Sequence, residues 1–290
     1  MTEHVIRAAG IAYPRNVRST DYESAQEKSK VFKELNTVIT VMAREITVSL
    51  KSPAMLIISL VMPVVMMGMI GGNLMQNMAG GLGFQLGSFM LIGMAINMLF
   101  MFTAQGMTSL IDDHETDFTQ EMLVSPVSRY SLVIGKIFGS MFGAILSMIA
   151  TLAVGLVMGI TLPVGQLLLI LALSPLMCLS GGALAMIFIG VIKNRKVANM
   201  AVMFIVMPQM FLSGVIIPIQ HSTGALMVLS RMMPMTYCVD LARAVVYSGS
   251  PQYDSVVMFN PVVNCLVIVA LTVGCLIVGT YFFAKSEKVR

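Results

Sequence analysis

An all-helical integral membrane protein is the fold class this sequence predicts, and three observations predict it. The first is composition: across 290 residues 57% are apolar and only 11% are charged, whereas an ordinary soluble domain carries about 25% charge. The second is distribution. Residues 52–111 and 137–192 contain no Asp, Glu, Lys or Arg, and each run is long enough for about two crossings at roughly 20 residues apiece. One charge at mid-bilayer costs about 2.5–3.5 kcal/mol on insertion scales, so lipid selects such runs. A water-soluble helical core would need a charged outer face on each helix. The third observation is that basic residues gather on one side of the chain's predicted crossings.

The elements follow in order. Residues 1–28 are polar, carry Pro14 and lack periodicity, so they read as a flexible tail. The first 53 residues hold no apolar run of signal-peptide type. The remainder, 29–290, forms the transmembrane domain. It begins with an amphipathic helix over 30–51, where Leu35, Ile39, Met42, Ile46 and Leu50 recur at helical spacing. Lys33, Glu34, Asn36, Thr40, Arg44 and Lys51 take its other faces. Leading straight into a span, such a helix is expected along the membrane interface; packing on a soluble partner is the alternative.

Spans are predicted over 54–72, with Pro63 as a kink, and over 87–110, 131–160, 165–192, 197–217 and 261–284. Six crossings put both termini on one side. That side takes the N-terminal tail, the 111–136 loop, the turn with Lys193, Arg195 and Lys196, and the C-terminal KSEKVR. It holds 16 of the 18 Lys and Arg; only Arg231 and Arg243 fall opposite. A bias of this strength makes it the cytoplasmic side, in a multi-pass protein of the plasma membrane.

Residues 218–260 are too broken to cross, yet contain the semi-apolar runs ALMVLSRMMPM and YCVDLARAVVY. Two short helices separated by Pro234, dipping into the outer leaflet and resting on the bundle, are expected there; a plain exposed loop is the alternative. Asp240 and Arg243 stand at i, i+3 and could pair. In the third span Gly135, Gly139, Gly143 and Ser147 stand four apart on one helix face, which lets a neighbouring backbone approach closely.

Several chemistries find no support. No G-x-x-x-x-G-K-[ST] occurs, since Gly135-Lys136 is followed by Ile137, so no phosphate-cradling loop is present. Cys178, Cys238, Cys265 and Cys275 show no metal or redox spacing and read as free structural thiols. No catalytic residue, metal or cofactor is expected on this chain. No charged group is expected at membrane depth either, which argues against an ion-coupled carrier and against intramembrane catalysis. Energy would have to enter from outside.

The stretch between the two charge-free runs offers a place for that. Asp112, Asp113, Glu115 and Asp117 cluster early, and Arg129 and Lys136 come late. Ser125-Pro126 suits an N-cap with a first-turn proline, so the third helix is expected to start there. Residues 116–124 would then form a short helix with Phe118, Met122 and Leu123 on its apolar side. Asp117 and Glu121 stack at i, i+4 with like charge, which is unfavourable unless a cation answers them. A partner's basic or polar groove would supply it; a solvated acidic face is the alternative.

Three segments resemble one known family, the membrane subunits of ABC-2 type ABC transporters, near the daunorubicin-resistance and nodulation-factor export branch. They are MAREITVSLKSPAMLIISLVMPVVMMGMIGG, DFTQEMLVSPVSRYSLVIGK, and MFLSGVIIPI followed by LSRMMPMTYCVDLAR. In the second, Glu121, Leu123, Pro126, Ser128, Arg129, Gly135 and Lys136 stand at the family's characteristic places; the acidic lead-in DDHETD departs from its pattern. The resemblance implies six transmembrane helices, two permease subunits and two separate ATPase subunits that carry ATP and magnesium. It implies a coupling segment over 111–130 that docks on the ATPase through Asp117, Phe118, Glu121, Met122, Leu123, Pro126 and Arg129. It also implies an interfacial helix containing Arg44 and Glu45, and outer re-entrant helices containing Pro234, Tyr237, Asp240 and Arg243.

With 29 Met and no Trp, an adaptable apolar lining is expected. It would suit a hydrophobic or amphipathic substrate, with lipid and no nucleic acid among the partners. A secondary transporter or channel, or a membrane sensor or scaffold, stands as the alternative.

Overall fold

The computed structural model describes residues 19–71, 85–115, 129–192, 194–220 and 222–288. Among these residues the regular structure is entirely helical. The helices are α1 (Ser19–Lys51), α2 (Pro53–Met66, continued by a π-helical turn Met67–Gly71), α3 (Leu86–Glu115), α4 (Arg129–Val157) and α5 (Val164–Ile189). Then come α6 (Arg195–Leu212), α7 (Ala225–Met232), α8 (Pro234–Val246), α9 (Tyr253–Val256) and α10 (Pro261–Lys288).

Helix α3 is the axis of the bundle. It is apolar around most of its circumference and packs against α4, α5, α6 and α8, so that Phe89, Ile92, Ile96, Leu99 and Phe100 are fully buried. A helix apolar on all sides buries itself when neighbours are available. Helix α10 is the opposite case. It touches mainly α5 and α8 and leaves Val262, Leu266, Val269, Val273 and Ile277 exposed at helical spacing, a face that water would reject and lipid would accept.

Among the described residues four stretches are long and apolar enough to cross a membrane: Leu86–Ile111, Ser131–Val157, Val164–Ile189 and Tyr253–Phe282. Helix α2 has 14 residues, about 21 Å at 1.5 Å per residue, and falls short of the roughly 30 Å hydrocarbon core without its π turn. Helix α6 has 18 residues and opens on Arg195 and Lys196, with Asn194 Oδ1 accepting from the Lys196 and Val197 N–H groups.

Several expected boundaries move. Helix α1 starts at Ser19, inside the segment expected to be a tail, because STDYESAQEKSK is rich in good helix formers although it lacks an apolar stripe. Helix α3 runs past the expected end at residue 110 to Glu115, carrying Asp112, Asp113 and Glu115 out as a helical extension. Helix α6 stops at Leu212 rather than continuing to 217: Gly214 takes φ 70°, a left-handed value that ends helices and favours glycine. Residues 116–128, Lys193 and His221 lie outside the described residues, and with them the expected start of the third helix at Pro126.

Candidate functional site

The site is built from three parts, a groove and two clusters of buried polar groups. The groove lies between α2, α3 and α6. Its walls are Met62 and Met66 from α2, Asn97, Met98, Met101 and Gln105 from α3, and Val202, Met203, Val206, Met207 and Met210 from α6, around a cavity of about 100 Å³. Seven of these eleven residues are Met, unbranched and polarisable, which fill or vacate irregular space at little cost. No charge lines it. Asn97, 2% exposed, donates only a long 3.5 Å hydrogen bond, to the Met235 sulfur. Outward from the groove, Val197, Met200, Phe204, Met207 and Phe211 form an exposed apolar stripe along α6. The groove therefore opens beside a face suited to lipid or to another apolar surface.

The second part stands at the Phe89 end of α3. Arg243 of α8 is buried, and its Nη2 donates to the carbonyls of Gly214 at 2.7 Å, Phe89 at 3.3 Å and Val215 at 3.3 Å. Its guanidinium lies 3.4 Å from the centroid of the Phe89 ring, a cation–π contact. Gly93 makes the approach feasible, since a Cβ there would strike the Val215 carbonyl and come within 3.0 Å of the guanidinium. The residues after α6 are non-helical because their carbonyls have a side-chain donor in place of the missing helical N–H groups.

Asp240, one turn earlier on α8, serves a different loop. Its Oδ1 accepts from the Met258 N–H at 2.8 Å, and its Oδ2 accepts from the Phe259 N–H at 2.9 Å and from Asn264 Nδ2 at 2.8 Å. Burial raises its carboxyl above the ordinary range, against the pull of these three donors. The expected Asp240–Arg243 pair is thus corrected. The two side chains lie one helical turn apart and make no direct ion pair; each is hydrogen bonded to backbone groups of a different loop, and their charges act on one another only through space. Pro234 opens α8, with only Met233 between it and the end of α7. Tyr237 donates to the Arg231 carbonyl at 2.7 Å and stacks on Phe259 at 5.5 Å, closing the corner between α7 and α8.

The third part stands at the other end of the bundle, where α1 lies against the start of α4. Lys136, 1% exposed, places its ammonium 2.6 Å from Glu45 Oε1, and Arg44 Nη1 stands 3.6 Å from the same oxygen. Ser131 donates to Glu34 nearby. The contact is close because α4 presents Gly135 and Gly139. A Cβ on Gly135 would sit 3.0 Å from the Val38 carbonyl, and one on Gly139 would collide with Glu45 Cβ. The expectation that no charge lies within the crossings is overturned here: Lys136 falls inside the third span as drawn and is fully enclosed. It is tolerated because a carboxylate meets it.

Helix α1 also sorts its faces in a way that its periodicity leaves undecided. Val41, Glu45 and Ser49 are buried against α4, whereas Leu35, Ile39 and Leu50, together with Phe32, are exposed. Three members of the apolar stripe, Leu35, Ile39 and Leu50, point away from the protein while Met42 packs near Gly139, and the face that packs inward carries the acid. Of the residues expected to form the coupling segment, Asp117, Phe118, Glu121, Met122, Leu123 and Pro126 lie outside the described residues, and Arg129 is the first residue of α4. Neither Arg44 nor Glu45 lines the groove, and neither do Tyr237, Asp240 and Arg243.

Residues 36–247 match the family model described as ABC-2 type transporter. The match spans α1 from its middle onward, the groove, and both polar clusters except for Glu34, Met258, Phe259 and Asn264. Comparison with curated proteins gives no match.

Proposed function

Because this chain belongs to the ABC-2 type transporter family, we propose that it is the permease subunit of an ATP-driven exporter of a hydrophobic or amphipathic substrate, drug-, lipid- or glycolipid-like. The single observation that carries the substrate class is the groove between α2, α3 and α6, walled by methionines and free of charge. A bare sugar chain or an ion would lose its hydration there with nothing to replace it. An apolar body would be accommodated by rotation of thioether side chains. Two permease subunits work with two ATPase subunits, which hold ATP and magnesium. The family branch near daunorubicin-resistance and nodulation-factor exporters is the resemblance that favours export.

In this reading α2 with its π turn and α6 complete six crossings, both termini are cytoplasmic, and α7 and α8 rest in the outer leaflet. Residues 111–130 dock on the ATPase. Closure of the ATPase pair displaces that segment, and α3 and α4, which flank it, carry the displacement toward the groove. Lys136 and Glu45 do not line the groove, so this ion pair in the α4 span is poorly placed for proton or cation coupling across it.

The test is co-purification with an ATPase subunit, reconstitution in lipid vesicles, and measurement of ATP-dependent uptake of rhodamine 123. Uptake is expected only when both subunits and MgATP are present. Met98→Glu, which places a carboxylate in the groove wall, is expected to abolish it while the complex still assembles. Uptake by the permease without the ATPase would remove the reading in favour of a secondary transporter.

A further inference from the structure

A buried primary amide with nothing to bond is costly, because its oxygen and its nitrogen have both given up water. Gln209 of α6 is such a group. It is 1% exposed, and neither Oε1 nor Nε2 finds a hydrogen-bond partner among the described residues. Gln166 and Asn264 are in a milder position. Each leaves only its amide oxygen unmet, since the nitrogens donate to the Val246 carbonyl and to Asp240. Ser213, one turn beyond Gln209, is buried as well and its hydroxyl is also unpartnered.

The place of this amide gives the cost a use. Gln209 follows Val202 by seven residues, nearly two full turns, so it projects within about 20° of the same direction. Val202 lines the groove, and so does Met210, the residue next to Gln209. Gln209 itself stops at the margin of that wall. Pro208 precedes it inside α6 and has no N–H to offer the Phe204 carbonyl. The helical ladder is therefore open at the turn that carries the amide. A twist of about 20° there, or rotation of the flexible side chain, brings the amide onto the wall.

A second amide stands on the facing wall. Asn97 of α3 lines the groove, and its nitrogen makes only the long contact with the Met235 sulfur. Gly93 of α3 meets the Val215 carbonyl just past α6. Asn97 lies four residues along α3 from that contact, and Gln209 six residues back along the chain. Both amides thus stand within two turns of it, at the same end of the groove.

We propose that Gln209 and Asn97 form the polar end of the groove and select an amphipathic substrate whose polar part is neutral: a hydroxyl, a carbonyl or an amide. A hydroxyl presented there donates to Gln209 Oε1 and accepts from Gln209 Nε2 or Asn97 Nδ2, while the apolar body lies along the methionines. A hydrocarbon would leave both amides as unmet as before. An ammonium or a phosphate would lose its water with no counter-charge in the groove wall to answer it. In this assignment, which rests on the permease reading above, Gln209 is a specificity-determining residue.

The experiment uses the permease reconstituted in vesicles with its ATPase subunits. It reads inhibition of ATP-dependent rhodamine 123 uptake by three probes that share one aromatic body: 1-pyrenemethanol, 1-methylpyrene and the ammonium form of 1-pyrenemethylamine. Each probe's concentration is the one measured in the membrane. In the unmodified complex the alcohol is expected to inhibit at about tenfold lower concentration than 1-methylpyrene, the worth of two neutral hydrogen bonds. The ammonium should be weaker than the alcohol. In Gln209→Leu the gap between alcohol and hydrocarbon is expected to narrow to about threefold or less, and Asn97→Leu should narrow it too. The ratio is read within each variant, so a change in basal uptake cancels. Leucine removes an unmet amide, so Gln209→Leu should melt no lower than the unmodified chain.

A gap that stays near its full size in Gln209→Leu overturns the assignment, and so does an ammonium that outcompetes the alcohol. A clear fall in the thermal midpoint of Gln209→Leu would also overturn it, by showing that the amide already serves the fold. An unmodified complex without ATP-dependent rhodamine 123 uptake removes the permease reading itself, and the amide site falls with it.

Discussion

The two ends of α3 hold buried charge in opposite ways. Near Phe89, Arg243 and Asp240 are committed to backbone carbonyls and N–H groups. About 25 Å away along the helix, beyond the contact between Gly106 and Ser140, Lys136 is committed to Glu45. A backbone group cannot be mutated away, so a charge that serves it cannot be replaced without leaving something unmet. A side-chain pair can be removed whole. The first arrangement suits a region that must stay folded in one shape, and the second joins two helices through side chains alone.

The sharpest way to break this contrast is Arg243→Met. It would leave the Gly214 and Val215 carbonyls buried without a donor, at about 1–3 kcal/mol for each unmet group, and would remove the cation from the Phe89 ring. A loss of roughly 3 kcal/mol or more is expected. Cys178 and Cys238 are buried, so a thiol-reactive fluorophore followed through a thermal ramp in detergent would read it as a large drop in midpoint. Arg243→Lys should recover little, because an ammonium lacks the planar fork that reaches several carbonyls while stacking. Full recovery with lysine would mean that charge alone holds this end.

Asp240→Asn comes next. The amide keeps the volume but offers one acceptor where three donors converge, and its own N–H₂ would face one of them. Loss of charge-assisted bonds is worth about 1.5–3 kcal/mol. Burial already works against this carboxylate, which places the expected loss at the lower end and below that at Arg243. The same thermal assay checks it, and limited proteolysis between α8 and α10 should accelerate in the variant, because Met258 and Phe259 would lose their anchor. Unchanged cleavage would indicate that the aromatic contact of Tyr237 with Phe259 suffices to hold that loop.

What the sequence made legible follows from how local each signal is. The charge-free runs identify α3, α4 and α5 as apolar helices because composition alone carries that information. The four-residue spacing of Gly135 and Gly139 marks a face open to close approach, and the structure fills it with α1. Which face of α1 would fill it was not legible. The apolar stripe through Leu35, Ile39, Met42, Ile46 and Leu50 suits the membrane interface without saying which other face packs on the protein, and the deciding partner lies about ninety residues away. The end of α6 was hidden for the same reason: LSGVIIPI reads as a continuing span until Arg243, about thirty residues later, takes its carbonyls. Lys136 had a usable signal, an isolated charge between two glycines of a small-residue stripe, yet its place at the margin of a span made it look like part of a loop.

The smallest expected effect sharpens the contrast from the other end. Glu45→Gln/Lys136→Met should unfold within about 1 kcal/mol of the unmodified chain, or above it, since removing a buried ion pair whole is often neutral or stabilising. Either half alone should cost more: Glu45→Gln removes the carboxylate 2.6 Å from the buried Lys136 ammonium, and breaking such a pair typically costs about 3–5 kcal/mol, reduced here because Lys136 keeps a further contact and Arg44 and Glu34 keep the surroundings polar. Thermal midpoints of the two singles and the double form a mutant cycle whose coupling term isolates the pair. A double as unstable as the worse single would mean that the Lys136 end is built like the Arg243 end, with charge serving fixed neighbours.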